Sequence, residues 1–180
     1  MFYDEYYVKS VIRTLPNWPE PGVMFRDITP IFKDPKALRI VSDAFIQRYI
    51  QSDITHIACI DARGFLIASI MAYQLQLPLV LVRKKGKLPG ETLHQEYKLE
   101  YGTSAVEMQI DAVGAGDKVM VFDDLIATGG TILAACTLIK KLGADVVECA
   151  ALIDLPDLKG SERIQDNGIP VFTLLAYEGL

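Results

Sequence analysis

Val119-Met-Val-Phe-Asp123-Asp124-Leu-Ile-Ala127-Thr128-Gly129-Gly130-Thr131 reads as the end of one buried element and the start of another. Residues 119–122 are apolar or aromatic, the profile of a parallel strand buried on both faces. An acidic pair, Asp123 and Asp124, stands where that strand ends. A short turn carries Gly129-Gly130, and Ile132 to Leu142 then has the apolar spacing of a helix. Such a strand–turn–helix belongs to an α/β sheet, in which ligands bind at the carboxyl ends of the strands. The following helix offers unpaired N–H groups and a positive dipole end to an anion. Two carboxylates would repel a polyphosphate but match the donors of sugar hydroxyls. The combination predicts a site for a ribose that carries a 5′-phosphate. Residues 127–131 lack the lysine of a Walker A loop.

The same alternation continues on both sides. A helix is expected near Tyr3–Thr14, then a crossing that Pro16, Pro19 and Pro21 keep out of helix. Asp34-Pro35 opens a second helix that runs to about Gln51. The strand His56–Ile60 leads through Asp61-Ala62-Arg63-Gly64 into a third helix, and Leu79–Val82 is a further strand. Residues Glu91–Ile110 are polar, alternate weakly and contain Gly102, the pattern of a β-hairpin or flap. A strand at Val146–Ile153, a short helix near Leu158–Gln165 and a strand at Pro170–Leu175 complete the chain. Repeated β-then-α order predicts a parallel sheet covered by helices on both faces, within one domain of 180 residues. Gly114-Ala-Gly116 precedes a strand instead of following one, so it is a turn and not half of a dinucleotide fingerprint.

Composition narrows the class. The net charge is −5, which argues against a nucleic-acid partner, since phosphate backbones need a basic surface. No apolar run reaches the ~20 residues of a membrane span; Phe65–Leu75 is broken by Ser69, Tyr73 and Gln74. The acidic, aromatic N-terminus is the opposite of a secretory leader, so the cytoplasm is the expected location. Cys59, Cys136 and Cys149 are odd in number and lie in apolar patterns, as buried free thiols do. His56 and His94 are too far apart for a metal pair, and no structural metal is expected. The cations are concentrated in Arg83-Lys84-Lys85-Gly86-Lys87. Such a run is usually a solvated loop. Here it directly follows a buried-looking strand, so it emerges at the ligand edge, where it suits a small polyanion.

Several positions carry two readings. Asp61 to Gly64 serves equally well as a helix start with Asp61 as its N-cap or as a ligand loop. Phe25 alone reads as core, although its neighbour Arg26 and the Pro-rich lead-in favour a stacking platform. Glu100-Tyr101 alone reads as surface. Asp123 and Asp124 as a mere turn or cap would repel each other with nothing to compensate.

The 119–131 stretch resembles the phosphoribosyl-diphosphate (PRPP) motif of the type I phosphoribosyltransferases. Further blocks at Pro19–Ile28, Asp61–Gly64, Leu99–Gly102, Leu158–Gly160 and Leu174–Tyr177 resemble, in the same order, those of the family's adenine-using branch, so nearly the whole chain is covered. The resemblance implies a central parallel sheet flanked by helices, with a small hood drawn mainly from about 1–33 and a flexible flap at about 88–110. It implies a purine-salvage reaction in which adenine and PRPP give AMP and pyrophosphate with Mg²⁺, in a homodimer. Asp123 and Asp124 would grip the ribose and support the metal without forming a protein cage. Ala127, Thr128, Gly129, Gly130 and Thr131 would hold the 5′-phosphate. Asp61, Ala62 and Arg63, with Arg83, Lys84 and Lys87, would take the pyrophosphate, often through a cis peptide between the residues matching Asp61 and Ala62. Main-chain groups of Met24 and Arg26 would read the adenine edge, and Phe25 would stack on it. Glu100 would assist proton movement at the purine, Tyr101 would help close the flap, and Arg63 would stabilise the leaving group. Phe122, where smaller branched residues are common, is the nearest departure from the pattern and bears on packing only.

Overall fold

The computed structural model of the chain describes residues 3–98 and 102–179. Helix α1 (Glu5–Val11) starts at Asp4, whose carboxylate accepts the Tyr7 N–H. It is shorter than its sequence pattern predicts, because the chain turns into strand β1 (Arg13–Pro16), which pairs antiparallel with β2 (Met24–Asp27). The Arg13 guanidinium clasps the buried carboxylate of Asp27 at 2.6 Å and holds this small sheet closed. A 3-10 turn at Thr29–Lys33 precedes α2 (Pro35–Tyr49). There Asp34 accepts the N–H groups of Lys36 and Ala37, and Pro35 fills the first turn, where no N–H is needed.

The remaining elements are β3 (His56–Ile60), α3 (Gly64–Leu75), β4 (Leu79–Lys84), β5 (Thr92–Lys98), β6 (Thr103–Gln109), β7 (Lys118–Ile126), α4 (Gly130–Lys141), β8 (Asp145–Asp154), α5 (Gly160–Asp166) and β9 (Val171–Ala176). The helix expected near Leu158–Gln165 is split, because Lys159 takes a left-handed φ of 55° between a 3-10 turn and α5. The large sheet has seven strands in the order β5-β6-β4-β3-β7-β8-β9. β4, β3, β7, β8 and β9 are mutually parallel. The β5–β6 hairpin adds to the β4 edge in antiparallel fashion, so the central sheet is mixed. From β3 the chain moves to one side for β4 and returns to the other for β7. The switch point between β3 and β7 opens a crevice at their carboxyl ends.

One face of the sheet packs on α2 and α3 through Val41, Phe45, Ile67, Met71 and Phe122; the other packs on α4 and α5 through Val121, Ile132, Leu138 and Ile164. The buried Phe122 ring meets Phe45 edge-on at 5.0 Å, so the unusual aromatic at this position is absorbed by the core. Glu148 on β8 accepts from Arg48 at 2.5 Å and from the Tyr49 hydroxyl at 2.6 Å, which ties α2 to the sheet. The three cysteines are free and buried. Among the described residues no helix is long and apolar enough to cross a membrane.

Candidate active site

β7 continues to Ile126, so Asp123 and Asp124 lie inside the strand and not after it. Alternation along the strand sends Asp123 toward the α4 side and Asp124 toward the α3 side. The Asp124 N–H donates to Asp123 Oδ1 at 2.8 Å. Burial pushes the Asp123 carboxyl well above the usual aspartate range, and the negative charge of Asp124 adds to it. The same burial and the same two carboxylates push the Cys59 thiol up, so this sulfur is inert packing.

Beyond the pair the chain forms a small cavity of about 80 Å³ lined by Asp123 and residues 125–132. Helix α4 starts from Gly129, which has a left-handed φ of 74° and supplies no side-chain cap. The acid pair therefore does not cap this helix, and its first N–H groups face the cavity. The loop is held from behind by a close backbone approach: a Cβ on Gly129 would stand 2.8 Å from the Gly160 carbonyl oxygen. The sequence block ending in Gly160 is explained by that contact.

The second strand-to-helix turn completes the crevice. The Asp61–Ala62 peptide is cis. Helix α3 begins at Arg63 with no side-chain cap, and the Asp61 carboxylate instead accepts from Arg83 Nε at 2.9 Å. The helix-cap reading of Asp61 therefore does not hold. Arg63 Nε donates to Asp124 Oδ2 at 2.6 Å, which joins the two turns. Gly64 makes that approach possible, since a Cβ there would lie 3.4 Å from the Asp124 nitrogen and 3.0 Å from the Cys59 sulfur. A cavity of about 160 Å³ lies between the turns, with Asp61, Lys84, Asp123, Asp124, Thr131 and Tyr97 in its wall. The basic run is divided by this geometry. Arg83 and Lys84 end β4 at the crevice, whereas Lys87 sits exposed in the turn that follows.

The small sheet overhangs the same end. Phe25 packs edge-on against Trp18 at 4.3 Å, and the Arg63 guanidinium lies 5.4 Å from the Phe25 ring. Met24 lines a mostly apolar cavity of about 350 Å³ together with Val23, Leu155, Asp157, Leu158, Tyr177 and Gly179. The Arg26 side chain turns away to Thr14 Oγ1 at 2.6 Å and over the Tyr177 ring at 4.6 Å, leaving its main chain beside Met24. Leu158, Asp157 and Tyr177 were given no role by sequence reasoning. The only signal they carry is that they fall in or beside the matched blocks at 158–160 and 174–177. Glu100 and Tyr101 lie outside the described residues; Tyr97 on β5 reaches 3.4 Å from where a Gly130 Cβ would stand.

An acid pair, an uncapped glycine-led helix and two carboxylate-paired arginines thus meet at one switch point of an α/β sheet. A family model described as the phosphoribosyl transferase domain matches residues 28–174. The adenine phosphoribosyltransferase of Marinomonas sp. (strain MWYL1) is 63% identical, over 99% of both chains. A crystal structure of the Rhodothermus marinus adenine phosphoribosyltransferase superposes with a TM-score of 0.90 at 44% identity, covering 96% of this chain and 98% of that one. The Saccharomyces cerevisiae enzyme, solved with an imino-altritol bisphosphate and adenine, gives a TM-score of 0.89 at 37% identity, covering 95% and 98%. The chain belongs to the adenine phosphoribosyltransferase family.

Proposed function

We propose that this protein transfers the 5-phosphoribosyl group of PRPP to adenine, giving AMP and pyrophosphate, as a step of purine salvage. The observation that carries the reading is the juxtaposition of Asp123 and Asp124 with the Gly129-led start of α4 around one crevice. Relatives across the full length are named for this reaction, and the yeast relative is solved with adenine bound.

In this reading the 5′-phosphate rests on the N–H groups of Ala127 to Thr131 and on the Thr128 and Thr131 hydroxyls. Asp123 and Asp124 accept from the ribose 2′- and 3′-hydroxyls. Arg63, Arg83 and Lys84 meet the pyrophosphate with the Asp61-Ala62 loop, and the turn holding Lys87 adds positive charge at longer range. Pyrophosphate must leave from C1′ as positive charge develops on the ribose, so cations fixed at that end stabilise the transition state more than the ground state. Arg63 and Arg83 must turn from Asp124 and Asp61 to do so, and the freed Asp124 carboxylate then joins Asp123 at the ribose. Adenine stacks on Phe25, with the apolar cavity lined by Met24 and Leu158 beside it. Main-chain groups of Met24 and Arg26 distinguish a 6-amino donor from a 6-oxo acceptor. Glu100 accepts or relays the purine proton as N9 attacks C1′, and Tyr101 closes the flap against water.

The donor set fits Mg²⁺. A buried carboxylate, Asp124, and a partly exposed one, Asp123, stand side by side, and desolvation with the charge of Asp124 pushes the Asp123 proton affinity up, a strain that a hard cation relieves. Mg²⁺ would be held chiefly by the substrate's phosphates and hydroxyls with Asp123 and Asp124 in support, and it supplies charge neutralisation for the departing pyrophosphate. The protein is expected in the cytoplasm as a homodimer. Leu66 and Tyr73 on one face of α3, with Leu81 on β4, are exposed apolar side chains that a second copy would cover.

The test is base selectivity. With PRPP and Mg²⁺, the purified protein should consume adenine far faster than hypoxanthine or guanine; equal rates would overturn the base assignment.

A further inference from the structure

Glu107 on β6 is 3% exposed, and none of the steps above uses it. A buried carboxylate is costly unless its oxygens are taken. Its Oε1 accepts the N–H groups of Lys87 at 2.7 Å and Leu88 at 2.8 Å, and its Oε2 accepts the Thr92 hydroxyl at 3.2 Å. Burial alone would push this carboxyl up. The N–H groups of Gly86, Leu88 and Lys87 and the Thr92 hydroxyl outweigh it and hold the group below the usual glutamate range. The anion is therefore the fixed centre of the turn that follows β4. That turn passes its orientation on. The Lys87 carbonyl accepts from Arg83 Nη1 at 3.2 Å, and Arg83 Nε reaches Asp61 Oδ2 at 2.9 Å. Glu107 also stands opposite Arg83 in the β4–β6 register.

We propose that Glu107 is a positioning residue for the leaving-group end of the site: through the 86–88 turn it sets the Arg83 guanidinium and the Asp61 loop without touching substrate. The proposal rests on the phosphoribosyl-transfer reading. A residue that merely stabilised the fold would disturb both substrates alike, whereas this relay ends at the pyrophosphate alone.

The experiment compares wild type, Glu107→Ala, Glu107→Gln and Arg83→Ala by calorimetric titration with magnesium pyrophosphate and by steady-state kinetics. Glu107→Ala should raise the pyrophosphate Kd and the KM for PRPP roughly tenfold, the worth of one lost charge-assisted hydrogen bond, with the KM for adenine within about twofold. Glu107→Gln keeps an acceptor oxygen for the Lys87 and Leu88 N–H groups and should recover most of that loss. On the Arg83→Ala background, Glu107→Ala should add little, because the relay is already cut. Independent multiplication of the two effects, or an adenine KM that moves as far as that of PRPP, overturns the proposal. Should Glu107→Ala fail to fold, Thr92→Val decides: a rise in the pyrophosphate Kd supports the relay and an unchanged Kd overturns it. A wild-type chain that binds neither PRPP nor pyrophosphate overturns the reaction and this proposal together, whereas tight wild-type binding indifferent to Glu107 overturns this proposal alone.

Discussion

Asp123 and Asp124 are adjacent in sequence yet meet different surroundings. Asp124 is neutralised by Arg63 at 2.6 Å, while Asp123 faces burial and the charge of its neighbour. Asp124→Asn should weaken PRPP binding roughly tenfold or more through lost charge-assisted hydrogen bonds, whereas Glu100→Ala should mainly lower turnover. Titration calorimetry beside kcat measurement separates the two, and reversed effects would mean that the roles are exchanged. Asp123 also has a stability consequence. Its folded proton affinity lies above its unfolded value, so its contribution is complete below about pH 3.9 and is lost as pH rises through the raised folded value. Asp123→Asn should therefore raise the thermal midpoint of the ligand-free protein at pH 7, by roughly 2–4 °C for each 1 kcal/mol gained, while weakening PRPP binding. An unchanged midpoint in a pH 4 to 8 series would contradict it. At this scale the acid pair and the glycine turn at Gly129 were legible as local structure, because both are set by neighbours in sequence. Leu158 and Tyr177 were not, because a cavity wall has no motif of its own.

Among the elements, β7 and α4 matter most, and the loop between them is held by a third. The Gly129–Gly160 approach presses the α5 start against the 127–131 loop, with a Gly160 Cβ falling 2.8 Å from the Gly129 nitrogen. Gly160→Ala must push that loop forward. Its expected cost is roughly 1–3 kcal/mol of stability, as in other overpacked sites. PRPP affinity should fall more than tenfold, a loss above about 1.4 kcal/mol. A urea melt and PRPP titration measure the two, and wild-type affinity would show that the loop tolerates the methyl. Element types were readable where periodicity was strong, as in α2, α3 and β3, and where a cap was spelled out, as at Asp34-Pro35. The shortening of α1 was not readable. Residues 13–16 continue its polar and apolar pattern, and only pairing with residues 24–27 and the Arg13–Asp27 contact draw them into a strand. The length of β7 was hidden too, because acidic residues signal a strand end in sequence while the sheet carries them inside.

At the scale of the molecule, the exposed face of α3 tests the homodimer. Tyr73 is 81% exposed and Leu66 50%, seven residues apart and so on one side of the helix. Sedimentation velocity should give twice the 20.0 kDa chain mass, and Leu66→Glu with Tyr73→Glu should halve it. A wild-type monomer would remove the assembly from the reading. The sequence by itself determined the α/β class, the strand-to-helix turns at 61–64 and 127–131 and the family resemblance, because each depends on residues a few positions apart. Tertiary structure alone decided that Asp61 pairs with Arg83 instead of capping a helix, and that Arg63 locks Asp124. It also decided that the hairpin joins the sheet edge and that distant segments around residues 24, 158 and 177 share one apolar cavity. Those contacts bridge 22 to 153 residues of chain, and the free energy that selects them comes from burial and charge pairing that exist only once the sheet has assembled.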